Sequence, residues 1–418
     1  MFAPFPRIAG LVVTIYGLAV LPSCNSEAPT PEQTYLSAKI RQFELTPRQI
    51  WAAAIRDFDG DGDDDVLIEG HGQRHKDRIF YFDGEQYVPG EFQFPYTKDR
   101  HACDGADIDL DGDMDVYCSA GADRGNGENN NQLFLGQGTT GGYKRMLEPH
   151  GAEDPFGRGR LVTFLSADED PYPDLLVSVW GDRADDKKNE TTLFRNTAGR
   201  FEAVSTTITG TMGGRCLAVV PSTDGSEIDD IVLCHPHHGA SYFKNLGAFE
   251  LERYELGLKN KWWTAFAPIR LPTHDHSLLA GIVLDGPIAS LQIIDPEVLV
   301  SGQTKPLLKR SLQLPDDQRG RDCLPKAMAI ADVNEDGHPD VFVTRIERED
   351  RARFCAKDGD LLLLGPDYKE GLQIEPVAGG FGAQVYGANN HFIRLSGGER
   401  WEGGVEVIRF METSDSER

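Results

Sequence analysis

Apolar and polar positions along this chain follow a plan that repeats several times. A short apolar run leads into an acidic segment, and a β-rich run follows it. The apolar runs include residues 51–55, 161–165 and 328–330, and the β-rich runs after them include residues 66–68, 175–177 and 341–343. Short apolar and β-branched runs bounded by turn residues predict strands. Each unit therefore predicts two antiparallel strands joined by an acidic loop.

A second hairpin is predicted some 15 to 25 residues after each acidic segment. The first strands of these hairpins end at turn residues, as at residues 79–82, 133–135 and 193–194. Four short strands in a repeat of about 55 residues are typical of a β-propeller blade. The turn residues, with Gly 45 and Pro 24, agree with this plan. The predicted fold class is all-β, with a β-propeller architecture.

Three acidic segments share the spacing DxDxDGxxD. Oxygens at positions 1, 3, 5 and 9, with the main-chain carbonyl of position 7, can converge on one hard cation, and the glycine at position 6 permits the sharp turn. Such oxygen-rich sites suit Ca²⁺ better than Mg²⁺, which keeps its waters. About three Ca²⁺ ions are therefore predicted. Positions 1, 3, 5, 7 and 9 are Asp57, Asp59, Asp61, Asp63 and Asp65; Asp107, Asp109, Asp111, Asp113 and Asp115; and Asp332, Asn334, Asp336, His338 and Asp340.

Weaker copies continue the repeat between the strong ones. Ser166, Asp168, Asp170 and Asp174 keep the spacing, with Pro171 in place of glycine, and are predicted to form a weaker metal site. Two vestiges begin near residues 222 and 273, the first with Asp224 and Asp230, the second with Thr273 and Asp275. The six starts lie 50 to 59 residues apart, a regularity that indicates an internal repeat.

The acidic loops differ from EF-hand loops. An EF-hand needs a bidentate Glu at position 12 and a helix on each side. Position 12 of the three strong copies is Ile68, Cys118 and Val343, and these residues lie inside predicted strands. The alternative that stays open is a set of surface Asp-Gly turns that bind no metal.

The three strong loops and the strand pattern around them resemble the FG-GAP or VCBS repeats of integrin α-subunit type propellers. The resemblance implies that the loop joining the first two strands of a blade binds calcium. It also implies that the side chains at positions 1, 3, 5 and 9 are ligands and that Asp63, Asp113 and His338 contribute carbonyl oxygens. Residues 381–385, 393–395 and 405–410 show a fainter resemblance to the ASPIC/UnbV segment that often follows such repeats.

The repeat length predicts about seven four-stranded blades. Six blades are assigned to residues 45–371, and residues 372–418 are assigned to a seventh blade or to the ASPIC/UnbV-like segment. A strand over residues 35–43 is expected to close the seventh blade. The alternative is a six-bladed ring with a separate C-terminal piece.

The first 24 residues are predicted to be a lipoprotein-type signal peptide. Arg7 precedes an uncharged, mostly apolar stretch that is too short to span a membrane comfortably. The stretch ends in Leu21, Pro22, Ser23 and Cys24, which resembles a bacterial lipobox with Cys24 as the lipidated residue. Residues 25–44 would form the tether and the closing strand. The predicted location is the outer membrane, periplasm or cell surface, and an ordinary signal peptide is the alternative.

The cysteine content agrees with export. Six cysteines remain after Cys24, an even number that an oxidising compartment would pair. The repeat places two pairs on neighbouring strands around an acidic loop, and the third pair follows by elimination. The predicted disulfides are Cys103 with Cys118, Cys216 with Cys234, and Cys323 with Cys355.

The charge narrows the class of partner. The formal net charge of −25 repels nucleic acid, so a nucleic-acid partner is excluded. A glycan or a protein is the expected ligand.

Catalytic patterns are weak in this sequence, which contains no GxSxG, HExxH or P-loop motif. Two histidine clusters fall at opposite ends of the predicted barrel, and three tryptophans could stack on sugar rings. These residues are His235, His237, His238, His274 and His276, and Trp262, Trp263 and Trp401. The favoured function is a membrane-anchored, calcium-binding module for adhesion or scaffolding. The alternative is a propeller enzyme, a lyase or hydrolase, that degrades polysaccharide.

Overall fold

The computed structural model describes residues 12–13, 35–42, 50–70, 77–95, 100–120, 130–138, 142–154, 159–179, 190–208, 216–222, 226–234, 239–256, 262–285, 288–303, 305–312, 325–345, 360–374, 384–396 and 404–413. In these residues the chain forms seven antiparallel sheets, six of four strands and one of five. In the six four-stranded sheets the strands follow one another across the sheet in sequence order. This is the plan of a β-propeller.

The first four blades are built from sixteen consecutive strands. Blade 1 consists of β3 (Ile50–Arg56), β4 (Asp65–Gly70), β5 (Arg78–Phe82) and β6 (Tyr87–Pro89). Blade 2 consists of β7 (Arg100–Ala106), β8 (Asp115–Ala120), β9 (Gln132–Gly136) and β10 (Tyr143–Arg145). Blade 3 consists of β11 (Gly159–Leu165), β12 (Asp174–Val179), β13 (Thr191–Thr197) and β14 (Arg200–Val204). Blade 4 consists of β15 (Leu217–Pro221), β16 (Asp229–Cys234), β17 (Ala240–Asn245) and β18 (Leu251–Glu255).

The last three blades contain the one described helix and the first two strands of the chain. Blade 5 consists of β19 (Trp262–Ile269), β20 (Leu278–Asp285), β21 (Ile288–Ile294) and β22 (Leu308–Leu312), with helix α1 (Pro296–Val300) before β22. Blade 6 consists of β23 (Pro325–Ala331), β24 (Asp340–Arg345), β25 (Asp360–Leu364) and β26 (Lys369–Ile374). Blade 7 consists of β27 (Gln384–Ala388), β28 (His391–Ser396) and β29 (Gly404–Thr413), completed by β2 (Tyr35–Gln42) and β1 (Val12–Val13).

The ring is closed by pairing the two ends of the chain. Strand β2 runs antiparallel to β29, from the pair Tyr35 and Thr413 to the pair Gln42 and Glu406. It therefore supplies the fourth strand that β27, β28 and β29 lack. Residues 384–396 and 404–413 belong to a blade of the ring, and the prediction of seven blades is confirmed. The two residues of β1 lie in the predicted signal peptide, and the pairing of β2 with β29 is independent of them.

The hydrophobic core is divided among the seven junctions between neighbouring blades. At the closing junction, Val66 and Phe80 of blade 1 are buried together with Ile393 and Val405 of blade 7. Both faces of most second strands are buried, because each sheet packs against a blade on either side. This explains why these strands read as continuous apolar runs and not as alternating ones.

Two of the predicted disulfides are present. Cys103 on β7 lies directly opposite Cys118 on β8, with 4.1 Å between their Cα atoms. Cys216 is bonded to Cys234 in blade 4, where the Cys234 amide also donates to the Cys216 carbonyl at 2.9 Å. The predicted pair Cys323 and Cys355 and the predicted lipidation site Cys24 lie outside the described residues. Within the described residues, no helix is long and apolar enough to cross a bilayer.

Candidate calcium loops

The three DxDxDGxxD segments lie at one end of the ring, where each joins the first and second strands of its blade. Residues 57–64, 107–114 and 332–339 connect β3 to β4, β7 to β8 and β23 to β24. The carboxylate at position 1 shapes each turn by accepting main-chain N–H groups. Asp57 accepts from Gly60, Asp61 and Gly62 at 2.7 to 3.1 Å. Asp107 and Asp332 likewise accept from the residues at positions 5 and 6 of their own loops.

The glycine at position 6 is required by the backbone. Gly62, Gly112 and Gly337 have φ angles of +97°, +92° and +81°. Side chains with a Cβ rarely adopt this conformation, so the glycine lets the chain turn back over the position 1 carboxylate. All three loops thus contain the sharp turn for which a glycine was predicted at position 6.

Carboxylates converge in the loops of blades 1 and 2, those at positions 1, 3 and 5 in blade 1 and those at positions 1, 3 and 9 in blade 2. Oxygens of Asp57, Asp59 and Asp61 all lie within 4.8 Å of one another, and so do oxygens of Asp107, Asp109 and Asp115. Burial, together with the neighbouring carboxylates, raises the pKa of Asp59 and of Asp109. A cation among such carboxylates would offset both effects.

Asp109 supplies the test of whether the residues fit a metal ion. Its Oδ1 atom is buried and has no hydrogen-bond partner within the described residues. A buried carboxylate oxygen without a donor is costly, and coordination of a cation would satisfy it. The donor set contains only oxygen atoms, which suits Ca²⁺. When bound, Ca²⁺ would supply charge neutralisation, and the residues at positions 1, 3, 5 and 9 would hold it.

The carboxylate at position 9 also has a structural role. Asp65 is fully buried; its Oδ2 accepts the Phe58 amide at 2.8 Å and its Oδ1 accepts the Phe82 amide of β5, also at 2.8 Å. The same pair of bonds, from position 2 and from the third-strand side of the blade, reaches Asp115, Asp174 and Asp340. Burial raises the pKa of Asp65 to about 7. The position 9 carboxylate therefore ties the loop to the third-strand side of the blade through two hydrogen bonds, an arrangement called the position 9 lock below.

The loop of blade 3 keeps the position 9 lock, but a positively charged side chain lies beside its position 3 carboxylate, Asp168. The Asp168 carboxylate lies 3.2 Å from the guanidinium of Arg195, which belongs to β13 of the same blade. A fixed cation thus stands beside one of the predicted ligands. The weaker metal site of Asp168, Asp170 and Asp174 stays a prediction.

The vestigial loops of blades 4 and 5 differ from the three strong acidic loops in the contacts made at position 9. In blade 4, Asp230 is buried and its Oδ1 accepts the Asn245 amide at 2.7 Å, which keeps the third-strand bond of position 9, while its Oδ2 accepts the Tyr242 hydroxyl. In blade 5, Ile269 pairs with Leu278, as Arg56 pairs with Asp65 in blade 1. The loop therefore begins at residue 270 and not at 273, and the alignment that started it at Thr273 was wrong by three residues. The lock is absent there because Leu278 replaces the aspartate.

Blade 7 has no acidic loop. Its first two strands are joined by the two residues Asn389 and Asn390, since Ala388 pairs directly with His391. The Asp64 amide donates to Asn389 Oδ1 at 3.0 Å, and Asn390 donates to Glu335 at 2.7 Å. The tip of blade 7 thus connects the loops of blades 1 and 6.

A groove of about 160 Å³ separates the acidic loops of blades 1 and 2. Its walls include Asp57 and Asp107, and Tyr81 and Tyr143 line it as well. Carboxylates and aromatic rings therefore meet between two candidate metal sites.

A buried ionic cluster at the opposite end of blades 1 and 2 was missed in the sequence. Arg100 forms an ion pair with Asp77 and donates to the Gln132 side chain at 2.6 Å. Close by, the Glu69 carboxylate accepts the Cys103 amide at 2.8 Å, and burial raises its pKa to about 8. These residues are far apart in sequence and share no motif, so only the strand pairing brings them together.

The histidines and tryptophans considered as catalytic or sugar-binding candidates lie in different surroundings, and some lie outside the described residues. Trp262 is 54% exposed, whereas Trp263 is buried and stacks on Phe266. His274 and His276 lie in the loop between β19 and β20, at the end of the ring that carries the acidic loops. His235, His237, His238 and Trp401 lie outside the described residues.

Comparison with known proteins agrees with this architecture. Residues 57–118 match the FG-GAP-like repeat family. A chain of a crystal structure described as BBS1N in complex with ARL6DN, soaked with mercury, is similar to this chain with a TM-score of 0.53 at 13% identity, covering 87% of this chain and 93% of that one. The lead-soaked crystal of the same complex gives a TM-score of 0.52 at 12% identity, with the same coverage.

No curated protein matches the chain. At identities this low, the likeness to the solved structures shows the fold alone. The chain is a seven-bladed β-propeller in which residues 57–118 match an FG-GAP-like repeat.

The two roles of the loop aspartates can be separated by mutation. Replacing Asp65 with Ala leaves two buried N–H groups without an acceptor, which should lower the free energy of unfolding by about 2 to 5 kcal/mol even without calcium. Replacing the exposed Asp61 with Asn should leave the calcium-free protein unchanged or slightly more stable, because carboxylate repulsion falls. Urea unfolding in chelator measures both effects. Equal destabilisation by the two changes would contradict the assignment.

The buried Glu69 should make stability depend on pH. Its folded pKa of about 8 lies above the unfolded value, so the unfolded state loses its proton first as pH rises from about 4.5. Stability should therefore fall between pH 4.5 and 8, and the Glu69→Gln variant should lack this part of the fall. The measurement is the urea midpoint at pH 5.5 and 8.0 for both proteins, with the exposed Glu250→Gln as control. Parallel changes in all three proteins would show that Glu69 ionises normally.

Proposed function

We propose that this protein is an exported, calcium-binding β-propeller, tethered to a bacterial membrane by a lipid on Cys24, that binds a glycan or protein ligand as an adhesion or scaffolding module. The proposal for calcium rests on two observations: the buried Asp109 Oδ1 has no hydrogen-bond partner within the described residues, and a carboxylate oxygen of Asp109 lies within 4.8 Å of oxygens of Asp107 and Asp115. Hydrogen bonds within the described protein leave this oxygen unsatisfied, and a cation would satisfy it.

The arrangement of the loops supports a binding role. The ring is rigid because seven apolar junctions join every blade to its neighbours. The three strong loops project from the same end, and calcium would cancel the repulsion that opposes their order. The groove between blades 1 and 2, with Tyr81 and Tyr143, offers aromatic surface beside two of these loops. Aromatic rings and bound cations together suit a polar ligand such as a glycan.

Calcium should raise the melting temperature of the chain that begins at Asn25. A ligand that binds only the folded state stabilises it, by about 2.7 kcal/mol per site when its free concentration is 100 times its Kd. The calcium-free protein is melted with increasing Ca²⁺ or Mg²⁺, and bound calcium is counted by elemental analysis. We expect about three bound ions and a much smaller effect of Mg²⁺.

The Asp109→Asn variant should bind one ion fewer and gain less stability from calcium. Asp83→Asn, in the exposed hairpin turn of blade 1, is the matched control and should behave as the wild type. A glycan array probed in calcium and again in chelator then tests the ligand. No calcium in the wild-type protein, or an unchanged ion count in Asp109→Asn, would reject the calcium assignment.

Lipidation at Cys24 predicts that the full-length protein enters the detergent phase after expression in a bacterial host. The Cys24→Ser variant should enter the aqueous phase, because the acyl chains that hold the protein to the bilayer are missing. Ser26→Ala is the control and should enter the detergent phase as the wild type does. Partition of the wild type into the aqueous phase would refute the anchor and favour an ordinary signal peptide.

A further inference from the structure

Blade 5 carries an insertion that the other blades lack in their described parts. Its third and fourth strands are joined by residues 295–307, which include helix α1, whereas the corresponding link in blade 6 is the turn 365–368. Asp295 caps the helix, and its side chain accepts the Glu297 amide at 2.9 Å. The insertion places these two carboxylates beside the loop 270–277, at the position where blades 1, 2 and 6 have their acidic loops.

His276 is the point of contact between this loop and the insertion. Its Nε2 lies 3.3 Å from Asp295 Oδ1, and its Nδ1 lies 3.0 Å from Asp275 Oδ1. One ligand atom each from His276, Asp295 and Glu297 lies within 4.8 Å of the other two. The side chains of His276 and Asp295 are only 14% and 13% exposed. Three donors from two separate elements are therefore gathered at a partly covered point.

The number of protons on the His276 imidazole decides how many of the facing carboxylates it can donate to. A neutral imidazole carries one N–H, so it can donate to only one of the two carboxylates that face its nitrogens. An imidazolium would donate to both carboxylates; a metal ion on Nε2 also removes the conflict, since Nδ1–H then donates to Asp275 while Nε2 offers its lone pair. A carboxylate behind a ligating imidazole is the usual outer partner of a metal-bound histidine.

The nearby groups leave the negative charge largely uncompensated. Asp275, Asp295 and Glu297 are three carboxylates, and an imidazolium would offset only one of them. Arg270 donates to the main-chain carbonyl of Asp275 at 3.1 Å, and His274 contacts the Thr273 hydroxyl. A divalent cation would match the remaining charge more closely.

The donor types select the metal. Imidazole suits Zn²⁺ and its neighbours in the transition series, whereas Ca²⁺ takes oxygen ligands. One imidazole with two carboxylates supplies three ligands, the number that the protein supplies in zinc sites whose fourth position stays open. The acidic loops of blades 1, 2 and 6 have no side-chain nitrogen among their predicted ligands at positions 1, 3, 5 and 9 other than the amide of Asn334.

We propose that His276, Asp295 and Glu297 form a Zn²⁺ site in blade 5, with Asp275 as a positioning residue and with the fourth coordination position open to water or an anionic ligand. This site is chemically distinct from the calcium loops, and it does not depend on them.

The test titrates Zn²⁺ into the chain that begins at Asn25, with the calcium loops kept saturated by excess Ca²⁺. We expect calorimetry to show one Zn²⁺ at this site, and Co²⁺ in its place to show the visible absorption of a histidine-bound ion. His276→Ala should weaken binding at least a hundredfold. Asp275→Asn should weaken it about 10- to 100-fold, as loss of an outer partner does. Asp367→Asn, an exposed carboxylate in the equivalent link of blade 6, should have no effect.

The proposal fails if the wild type binds no Zn²⁺ under these conditions, or if His276→Ala binds it as tightly as the wild type. The second result would place the ion on other histidines of the chain. If His276→Ala does not fold, Glu297→Gln decides, because Glu297 is exposed and its main chain keeps the helix cap. An unchanged zinc affinity in Glu297→Gln would then also overturn the site.

Discussion

The buried carboxylate at the end of each acidic loop is the interaction on which the blades depend. Asp65, Asp115, Asp174 and Asp340 each accept one N–H from position 2 of their own loop and one from the third-strand side of their blade. An eight-residue loop leaves several N–H groups without strand partners, and a buried N–H without an acceptor is costly. One side chain of the second strand thus ties the loop to the third-strand side of the blade. The candidate ion site lies next to this carboxylate.

The lock also connects the loops to the core. The residue at position 2, whose N–H is held, is buried at the junction with the next blade: Phe58 packs with blade 2 and Ile108 with blade 3. In blade 3, Asn196 also donates to the Ile108 carbonyl at 2.8 Å. A change at the loop is therefore transmitted to the interface between blades, because the same short segment belongs to both. Calcium bound at positions 1 to 9 would stiffen that interface as well as the loop.

The sequence predicted the features that depend on local spacing. The strands, the seven-blade ring, the three strong loops and two disulfides follow from residues close together in the chain. The failures arise where the local marker is missing or where distant segments decide. The register of blade 5 was wrong because Leu278 replaces the aspartate that marks position 9 elsewhere. Glu69, Asp77, Arg100 and Gln132 form a cluster that only strand pairing assembles, and His276 meets Asp295 only through the insertion before β22.

The direction of β2 bears on how the ring would sit against a membrane. The third strand of each blade runs toward the acidic loops, so β29 ends at that side of the ring, and Tyr35 lies opposite Thr413 there. Residues 25–34, the tether between Cys24 and β2, can span at most about 35 Å when extended. The proposed anchor therefore holds the loop-bearing end within that distance of the bilayer. The opposite end, where the second strands finish, would then be the side that faces away from the membrane.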